Sequence, residues 1–187
     1  MRGNKSQGKK MKLSKGLVQI YTGNGKGKTT AAIGQAIRAY GHNLKICIFQ
    51  FLKPEDNFTG ELVALKKLNI KVIRHKEPYS FKLPEKELEL VKFKESLLKM
   101  LNNVKAAFKE YDMIILDEIN NLLYLKIIDT KTIIDLINQK PDKVELILTG
   151  RNALLELIHI ADLVTQMDAI KHPYVEKELL ARKGIEY

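Results

Sequence analysis

The sequence of 187 residues contains one cysteine, Cys47, and no tryptophan. A single cysteine excludes an internal disulfide, which is typical of proteins that work in a reducing compartment. The chain has no apolar run long enough to cross a membrane and no recognisable signal peptide. It also lacks internal repeats, zinc-spaced cysteine and histidine clusters, and a nucleophile elbow. These absences predict a soluble, cytoplasmic protein that does not act through a membrane, a structural zinc ion or a serine nucleophile.

Basic residues outnumber acidic ones, and the formal net charge is +10. Such an excess often indicates an anionic partner. Here the charge is spread along the chain, apart from a basic leader between Arg2 and Lys15 that is rich in glycine, serine and glutamine. The composition predicts a flexible N-terminal arm over residues 1–15, followed by a single domain over residues 16–187. No recognised nucleic-acid reader motif is present, so nucleic acid is a disfavoured partner.

A glycine-rich segment near the N-terminus has the composition of a phosphate-binding loop. It follows an apolar segment, precedes a helical pattern, and reads Gly23-Asn24-Gly25-Lys26-Gly27-Lys28-Thr29-Thr30. Glycines allow successive backbone N–H groups to point into one concavity, and the N-terminus of the following helix adds positive potential. Lys28 is placed to reach phosphate oxygens, and the Thr29 hydroxyl is placed to ligate Mg²⁺. Thr22 stands where the usual motif begins with glycine.

A second segment carries two adjacent carboxylates at the end of an apolar strand. It reads Tyr111-Asp112-Met113-Ile114-Ile115-Leu116-Asp117-Glu118. Strand ends of this type place hard oxygen ligands beside a phosphate-bound Mg²⁺. The alternative is that the acidic pair merely caps the next helix. The phosphate-binding loop favours the metal-binding interpretation of Asp117 and Glu118.

The order of elements predicts the fold. Apolar strands are expected at 16–22, 45–51, 71–74, 111–118, 144–148 and 163–167, and helices at 30–40, 61–68, 85–110, 129–138 and 152–160. Strands that alternate with helices after a phosphate loop indicate an α/β protein of the P-loop NTPase-like (RecA-like) class. Its mostly parallel sheet would carry helices on both faces and bind nucleotide at the carboxyl ends of its strands.

Two further features are ambiguous from sequence. Arg151 follows the strand at 144–148, where it either contacts phosphate or is an ordinary surface residue. Tyr79 and Phe81 lie in a segment bounded by Pro78 and Pro84, which predicts a loop. Loop aromatics usually serve as packing anchors, and residue chemistry alone favours that role here.

Taken together, these motifs resemble the ATP:corrinoid adenosyltransferases of the P-loop type. The resemblance runs from Gly16 to Tyr187, and its landmarks are the segments at 21–32, 50–53, 116–118, 149–151, 161–164, 171–172 and 184–187. It accounts for Thr22, because the variant loop of that family begins with Thr-Gly-Asn-Gly. It implies attack of a reduced Co(I) corrinoid on the 5′-carbon of ATP, with ATP reversed in the loop and triphosphate as the leaving group.

The resemblance also implies roles for individual residues. Lys28, Lys26 and Glu118 are the expected catalytic residues; Thr29, Glu118 and Asp117 are the expected Mg²⁺ site. The residues at 23–30 and Arg151 would bind ATP, and Tyr79 and Phe81 would contact the corrinoid and exclude its lower axial ligand. The family pattern can carry phenylalanine and tryptophan at those two positions. The resemblance implies a flavoprotein reductant as a partner, and a homodimer is possible.

Two other functions are compatible with the phosphate loop. The net charge of +10 suggests a P-loop ATPase that acts on nucleic acid. A small-molecule kinase is the weaker alternative, since no lid-like cluster of arginines is evident.

Overall fold

The computed structural model describes residues 13–79 and 82–187. Residues 1–12 of the predicted basic arm therefore lie outside the described part, as does the predicted corrinoid contact Phe81. The strands are β1 (Val18–Thr22), β2 (Ile46–Gln50), β3 (Lys71–Arg74), β4 (Met113–Asp117), β5 (Glu145–Thr149) and β6 (Leu163–Gln166). The helices are α1 (Lys28–Gly41), α2 (Gly60–Lys67), α3 (Glu87–Ala107), α4 (Ile119–Tyr124), α5 (Thr130–Asn138), α6 (Leu155–Ile160) and α7 (Pro173–Lys177).

The six strands form one sheet in the order β3-β2-β4-β5-β1-β6, and every neighbouring pair is parallel. The strand with the acidic pair, β4, is separated from the loop-bearing strand β1 by β5. In the register of the sheet, Gln50 at the end of β2 lies opposite Asp117 at the end of β4. The predicted α/β class with a parallel sheet is confirmed, and the strand ends that carry polar residues lie along one edge.

Helices cover both faces of the sheet. Successive side chains of a strand point to opposite faces, so both faces carry apolar side chains that the helices bury. On one face, Cys47 and Phe49 pack with Phe93 of α3 and the apolar sides of α4, α5 and α6. On the other face, Ile46 and Ile48 pack against α1 and α2. Burial raises the pKa of the Cys47 thiol to about 12, so this cysteine is a core residue rather than a nucleophile.

Several element boundaries differ from the sequence expectations. Strand β4, which was expected to include Glu118, ends at Asp117, because Glu118 has a φ of 68° and leaves the strand geometry. The helix expected from residue 152 begins only at Leu155. Asn152 has a φ of 53°, and the Ala153 N–H donates to the Thr22 hydroxyl oxygen at 3.1 Å, so this turn is tied to β1. Among the described residues, no helix is long and apolar enough to span a membrane.

Candidate active site

The phosphate-binding loop connects β1 to α1, which begins at Lys28. Gly23 and Gly27 have φ values of 97° and 118°, in the region that side chains other than glycine rarely adopt. The Lys28 side chain curls into the loop, and its Nζ donates to the carbonyl oxygens of Gly23 and Gly25, both at 2.7 Å. The loop therefore has the concave shape expected for phosphate binding, with the lysine inside it.

The segment after β6 supports the loop from behind. The Gly25 N–H donates to the carbonyl oxygen of Met167 at 2.7 Å. A Cβ added to Gly23 would lie 2.4 Å from the same carbonyl oxygen, which is closer than any side chain tolerates. Glycine is thus required at position 23 both by its backbone angle and by this contact.

Lys28 is the buried lysine of the loop, whereas Lys26 is exposed. Burial lowers the pKa of the Lys28 ammonium group below its ordinary value, because desolvation disfavours the charged form. The Glu118 carboxylate opposes this change, whereas Arg151 adds to it. A bound phosphate would favour the charged form of Lys28, because its negative charge would compensate for the hydration that the ammonium group loses on burial.

Asp117 is almost fully buried at the end of β4 and is held by hydroxyl groups. Its Oδ1 accepts hydrogen bonds from the hydroxyls of Thr29 at 2.8 Å and Thr149 at 2.7 Å. The Thr29 hydroxyl thus donates to Asp117, and the lone pairs of Thr29 Oγ1 remain available to a cation. Asp117 lies beneath the first turn of α1, with Thr29 between it and the cleft.

Glu118 lies at the entrance of the site in a left-handed backbone conformation. Burial raises the pKa of Glu118 to about 7, with a further contribution from the adjacent Asp117 carboxylate. Glu118 occupies the N-cap position of α4, but its side chain accepts no capping hydrogen bond from a backbone N–H of that helix. Instead, Asn121 donates to its Oε2, and its own N–H donates to Thr149 Oγ1 at 3.0 Å. The helix-capping alternative therefore does not explain this carboxylate.

A cleft of about 1170 Å³ opens in front of the loop and Glu118. Nine of the predicted site residues line it: Asn24, Gly25, Lys26, Gly27, Lys28, Thr29, Thr30, Glu118 and Arg151. The Arg151 side chain is exposed there, and its backbone N–H donates to Asn121 Oδ1 at 2.8 Å. Residues from the chain's last segment, including Leu180, Arg182 and Ile185, form the opposite wall. The structure thus brings the loop, one carboxylate and Arg151 together.

The C-terminal segment contacts the loop through Lys26. Lys26 Nζ lies 2.8 Å from Glu186 Oε1 and 3.3 Å from the carbonyl oxygen of Ile185. The neighbouring Arg182 also pairs with Glu186, and these bonds lower the pKa of Glu186 to about 2. This contact between Lys26 and Glu186 could not be predicted from local sequence patterns, because the two residues are 160 positions apart.

The aromatic loop begins after β3, an edge strand that is separated from β1 by β2, β4 and β5. The Tyr79 hydroxyl donates to Glu89 Oε2 at 3.0 Å, and the Tyr79 ring packs edge-on against Phe93 at a centroid distance of 5.4 Å. Tyr79 is half-buried against the core. These contacts are those of a packing anchor, so the predicted corrinoid contacts of Tyr79 and Phe81 stay predictions.

The oxygen donors of the site suit Mg²⁺. They are the Thr29 hydroxyl and the Glu118 carboxylate, both hard ligands that line the cleft, whereas the predicted metal ligand Asp117 is buried behind Thr29 and accepts its hydroxyl hydrogen. Within residues 13–79 and 82–187, no three or more histidine, cysteine, aspartate or glutamate side chains form a metal-binding cluster. The oxygen donors of Thr29 and Glu118 fit Mg²⁺, which keeps water and phosphate oxygens among its ligands. The residues present therefore fit the predicted metal.

Parallel sheet, glycine-rich loop and strand-end carboxylates define a P-loop nucleotide-binding protein. A KaiC-like protein of Pyrococcus horikoshii has the same fold, with a TM-score of 0.51 and 14% identity over 83% of this chain and 73% of that chain. Comparison of the sequence identifies the family more closely than comparison of the fold does. Residues 14–187 match the model of the family described as ATP:corrinoid adenosyltransferase BtuR/CobO/CobP, and the chain belongs to that family.

Individual relatives agree with the family match. A corrinoid adenosyltransferase of Sinorhizobium is 32% identical over 177 residues, which cover 92% of this chain and 81% of that protein. A corrinoid adenosyltransferase of Escherichia coli K12 is 28% identical over 175 residues, which cover 92% and 86% of the two chains. The predicted family is confirmed. Adenosyl transfer to a corrinoid is therefore favoured over the nucleic-acid ATPase and the small-molecule kinase.

Proposed function

We propose that this chain transfers the 5′-deoxyadenosyl group of ATP to the Co(I) centre of a corrinoid and releases triphosphate. The family match over residues 14–187 carries this proposal, since it spans both the phosphate loop and the acidic pair. In the reaction the Co(I) electron pair forms the Co–C bond while the C5′–O bond breaks. That bonding pair leaves with the triphosphate. No proton is transferred, so the site needs no general base.

Lys28 and the loop N–H groups are proposed to stabilise the leaving triphosphate. Lys28 Nζ already lies inside the loop's concavity, 2.7 Å from two carbonyl oxygens. Negative charge grows on the leaving oxygen in the transition state, and a fixed cation beside it lowers the barrier. Bound in this way, the triphosphate would lie inside the loop, with the ribose carbon directed outward to the corrinoid, as the family resemblance implies.

Lys26 and Arg151 are proposed as further phosphate contacts. Both line the cleft, and both side chains are exposed to it. Lys26 would exchange its ion pair with Glu186 for a phosphate oxygen, which also changes the contact between the loop and the C-terminal segment. An exposed ion pair contributes little to stability, so this exchange costs little.

The magnesium site is proposed to consist of Thr29 and Glu118, with Asp117 behind them. Mg²⁺ would neutralise phosphate charge and fix the geometry of the triphosphate. Thr29 offers its hydroxyl oxygen because Asp117 accepts the hydroxyl hydrogen. Glu118 offers a carboxylate whose pKa is raised mainly by burial, so a bound cation would favour its charged form. Asp117 thus serves mainly to orient Thr29.

The corrinoid is proposed to bind against the aromatic loop, with Tyr79 and Phe81 excluding its lower axial ligand. Loss of that ligand makes the Co(II) form easier to reduce, as the family resemblance implies. Because the reaction consumes Co(I), a reductant must supply electrons, and a flavoprotein is the proposed donor. We propose that the protein carries out this reaction in the cytoplasm.

Phosphorus NMR of the products tests the proposal. With ATP, Mg²⁺ and chemically reduced corrinoid, inorganic triphosphate is the expected phosphorus product. ADP with phosphate as the sole products would instead indicate hydrolysis or phosphoryl transfer. A control without corrinoid separates any background hydrolysis from the coupled reaction.

A further inference from the structure

Both oxygens of the Asp117 carboxylate are occupied by donors from the protein. Oδ1 accepts from the hydroxyls of Thr29 and Thr149. On the other side, Oδ2 accepts from Gln50 Nε2 at 3.1 Å and lies 3.4 Å from Lys53 Nζ. The carboxylate is 1% exposed, so these four groups fix its orientation with little contribution from water. Thr29 is the only one of the four that also lines the cleft.

The orientation of the Gln50 amide is determined by Arg74. Gln50 is completely buried at the end of β2, and its Oε1 accepts a hydrogen bond from Arg74 Nε at 2.7 Å. The arginine offers only donors, so the amide oxygen must face it and the amide nitrogen must face Asp117. The reversed amide would place a donor against a donor at one end and an oxygen against a carboxylate at the other.

Arg74 is in turn fixed by the loop that follows β2. Its Nη2 donates to the Thr59 hydroxyl at 2.8 Å, and its Nη1 donates to the carbonyl oxygen of Asn57. Arg74 is itself buried, and burial lowers its pKa, while nearby Glu61 and Asp117 favour its charged form. A buried, hydrogen-bonded chain therefore leads from this loop through Arg74 and Gln50 to Asp117.

We infer that Gln50 is a positioning residue that orients the Thr29 hydroxyl for Mg²⁺ by acting through Asp117, and that Arg74 fixes the Gln50 amide for this purpose. The inference rests on the proposed function of Thr29 in the magnesium site. Without the Gln50 donor, the carboxylate can turn toward Lys53, and Oδ1 no longer faces the Thr29 hydroxyl squarely. Groups that orient metal ligands in this way typically contribute about 10-fold to 100-fold in metal affinity or activity.

The direct test compares ATP affinity in Mg²⁺ with ATP affinity in EDTA, measured by isothermal titration calorimetry. Gln50→Met removes the amide donor while keeping the length of the side chain. We expect the ratio of the two affinities to fall about 10-fold in this variant. Affinity in EDTA should be unchanged, because it depends on the loop N–H groups and Lys28.

A double-mutant cycle with Thr29→Val distinguishes positioning from a general packing effect. If Gln50 acts through Thr29, Gln50→Met lowers the ratio in the wild-type background and has no further effect in the Thr29→Val background. The matched control is Gln35→Met on α1, since the Gln35 Oε1 also accepts from an arginine, Arg38, but on the protein surface. This control should leave the ratio at the wild-type value.

Gln50→Met leaves Arg74 Nε without its acceptor, so a second variant guards against misfolding. Arg74→Lys keeps the charge and loses the Nε donor, and it should lower the ratio by a smaller factor than Gln50→Met. A wild-type ratio in both variants would overturn the inference. So would an equal loss of affinity with and without Mg²⁺. A wild-type protein that adenosylates corrinoid but binds ATP equally with and without Mg²⁺ would refute the magnesium site while leaving the reaction itself intact.

Discussion

Lys28 carries the largest share of the proposed electrostatic catalysis. It is the one lysine buried in the loop, and two carbonyl oxygens hold its ammonium group inside the concavity where the triphosphate is proposed to bind. Lys26, by contrast, is exposed and pairs with Glu186. The two lysines of the motif therefore differ in their expected contribution, although the sequence presents them as near equivalents.

Lys28→Ala should lower kcat by about 100-fold or more, the scale of one lost contact to transition-state charge. The measurement is a single-turnover rate with saturating ATP and chemically reduced corrinoid. Lys26→Ala is the matched control and should lose less. A Lys28→Ala rate within a few-fold of wild type would contradict the assigned role.

Glu118 makes the protein less stable above neutral pH. Its pKa in the folded protein, about 7, is above the ordinary value of 4.5, so the folded state binds more protons between these values. Stability of the protein without nucleotide therefore falls as pH rises from about 4.5 to about 7, and it stays reduced above that. Glu118→Gln removes this titration.

In EDTA at pH 8, Glu118→Gln should raise the melting temperature by about 2 to 4 °C, the shift that roughly 1 kcal/mol produces in a chain of this size. At pH 5 the carboxyl is protonated in the folded protein, so the difference should shrink toward zero. The same variant should lose Mg²⁺-dependent ATP binding. An equal or lower melting temperature at pH 8 would show that the carboxylate is already neutralised.

Sequence predicts the residues whose chemistry is local and misses those that depend on distant partners. Lys28, Thr29 and the acidic pair follow from spacing within one strand-loop-helix unit or one strand end. Gln50 belongs to a segment shared with the family, but its function depends on Arg74, which lies 24 positions away. Only the register of β2 against β4 brings the Gln50 amide to the Asp117 carboxylate.

At the scale of elements, positions 23 and 34 differ in whether they can accept a side chain in place of glycine. Gly23 lies in the phosphate loop with a φ of 97° and a carbonyl oxygen 2.4 Å from the position of a Cβ. Gly34 lies within α1, where an added Cβ would meet nothing within 4 Å. The same substitution should therefore damage one element and strengthen the other.

Gly34→Ala should stabilise the protein by about 0.5 to 1 kcal/mol, because alanine has the higher helix propensity. Gly23→Ala should destabilise it and weaken ATP binding, since the loop must move away from Met167. Thermal unfolding and ATP titration of both variants check this pair. Undiminished ATP affinity in Gly23→Ala would show that the loop tolerates another backbone path.

Phe81→Ala tests the aromatic loop. If Phe81 helps to exclude the lower axial ligand, its loss should reduce turnover from Co(II) corrinoid under mild reduction more than turnover from chemically prepared Co(I). Tyr79→Phe is a useful control, because it keeps the ring against Phe93 and removes only the hydrogen bond to Glu89. Equal losses in the two assays would assign Phe81 a packing role.

Element types were predictable where the apolar pattern is continuous, as in β2, β4 and α3. The ends of these elements were less predictable, because each end depends on the backbone angles of a single residue. Glu118 leaves β4 with a positive φ, and Asn152 delays α6 by three residues relative to the expected start. Glutamate rarely adopts a positive φ, so position 118 carries no sequence signal for its turn, whereas asparagine adopts it more readily and position 152 carries a weak one.

At the scale of the whole molecule, the order of the strands explains how the site is assembled. β5 lies between β1 and β4, so Thr149 at its end stands between the phosphate loop and the acidic pair. Its hydroxyl donates to Asp117 and accepts from the Glu118 N–H. Strand order cannot be derived from local patterns, and for that reason Thr149 had no predicted role.

The proposed function of the protein is one reaction, formation of a Co–C bond between a corrinoid and the 5′-carbon of ATP. The measurement that tests it is the absorbance change when chemically reduced cob(I)alamin is mixed with ATP, Mg²⁺ and the protein. We expect photolabile adenosylcobalamin together with inorganic triphosphate. If Co(I) is lost only by oxidation while ATP yields ADP, the fold stands but the proposed function is contradicted.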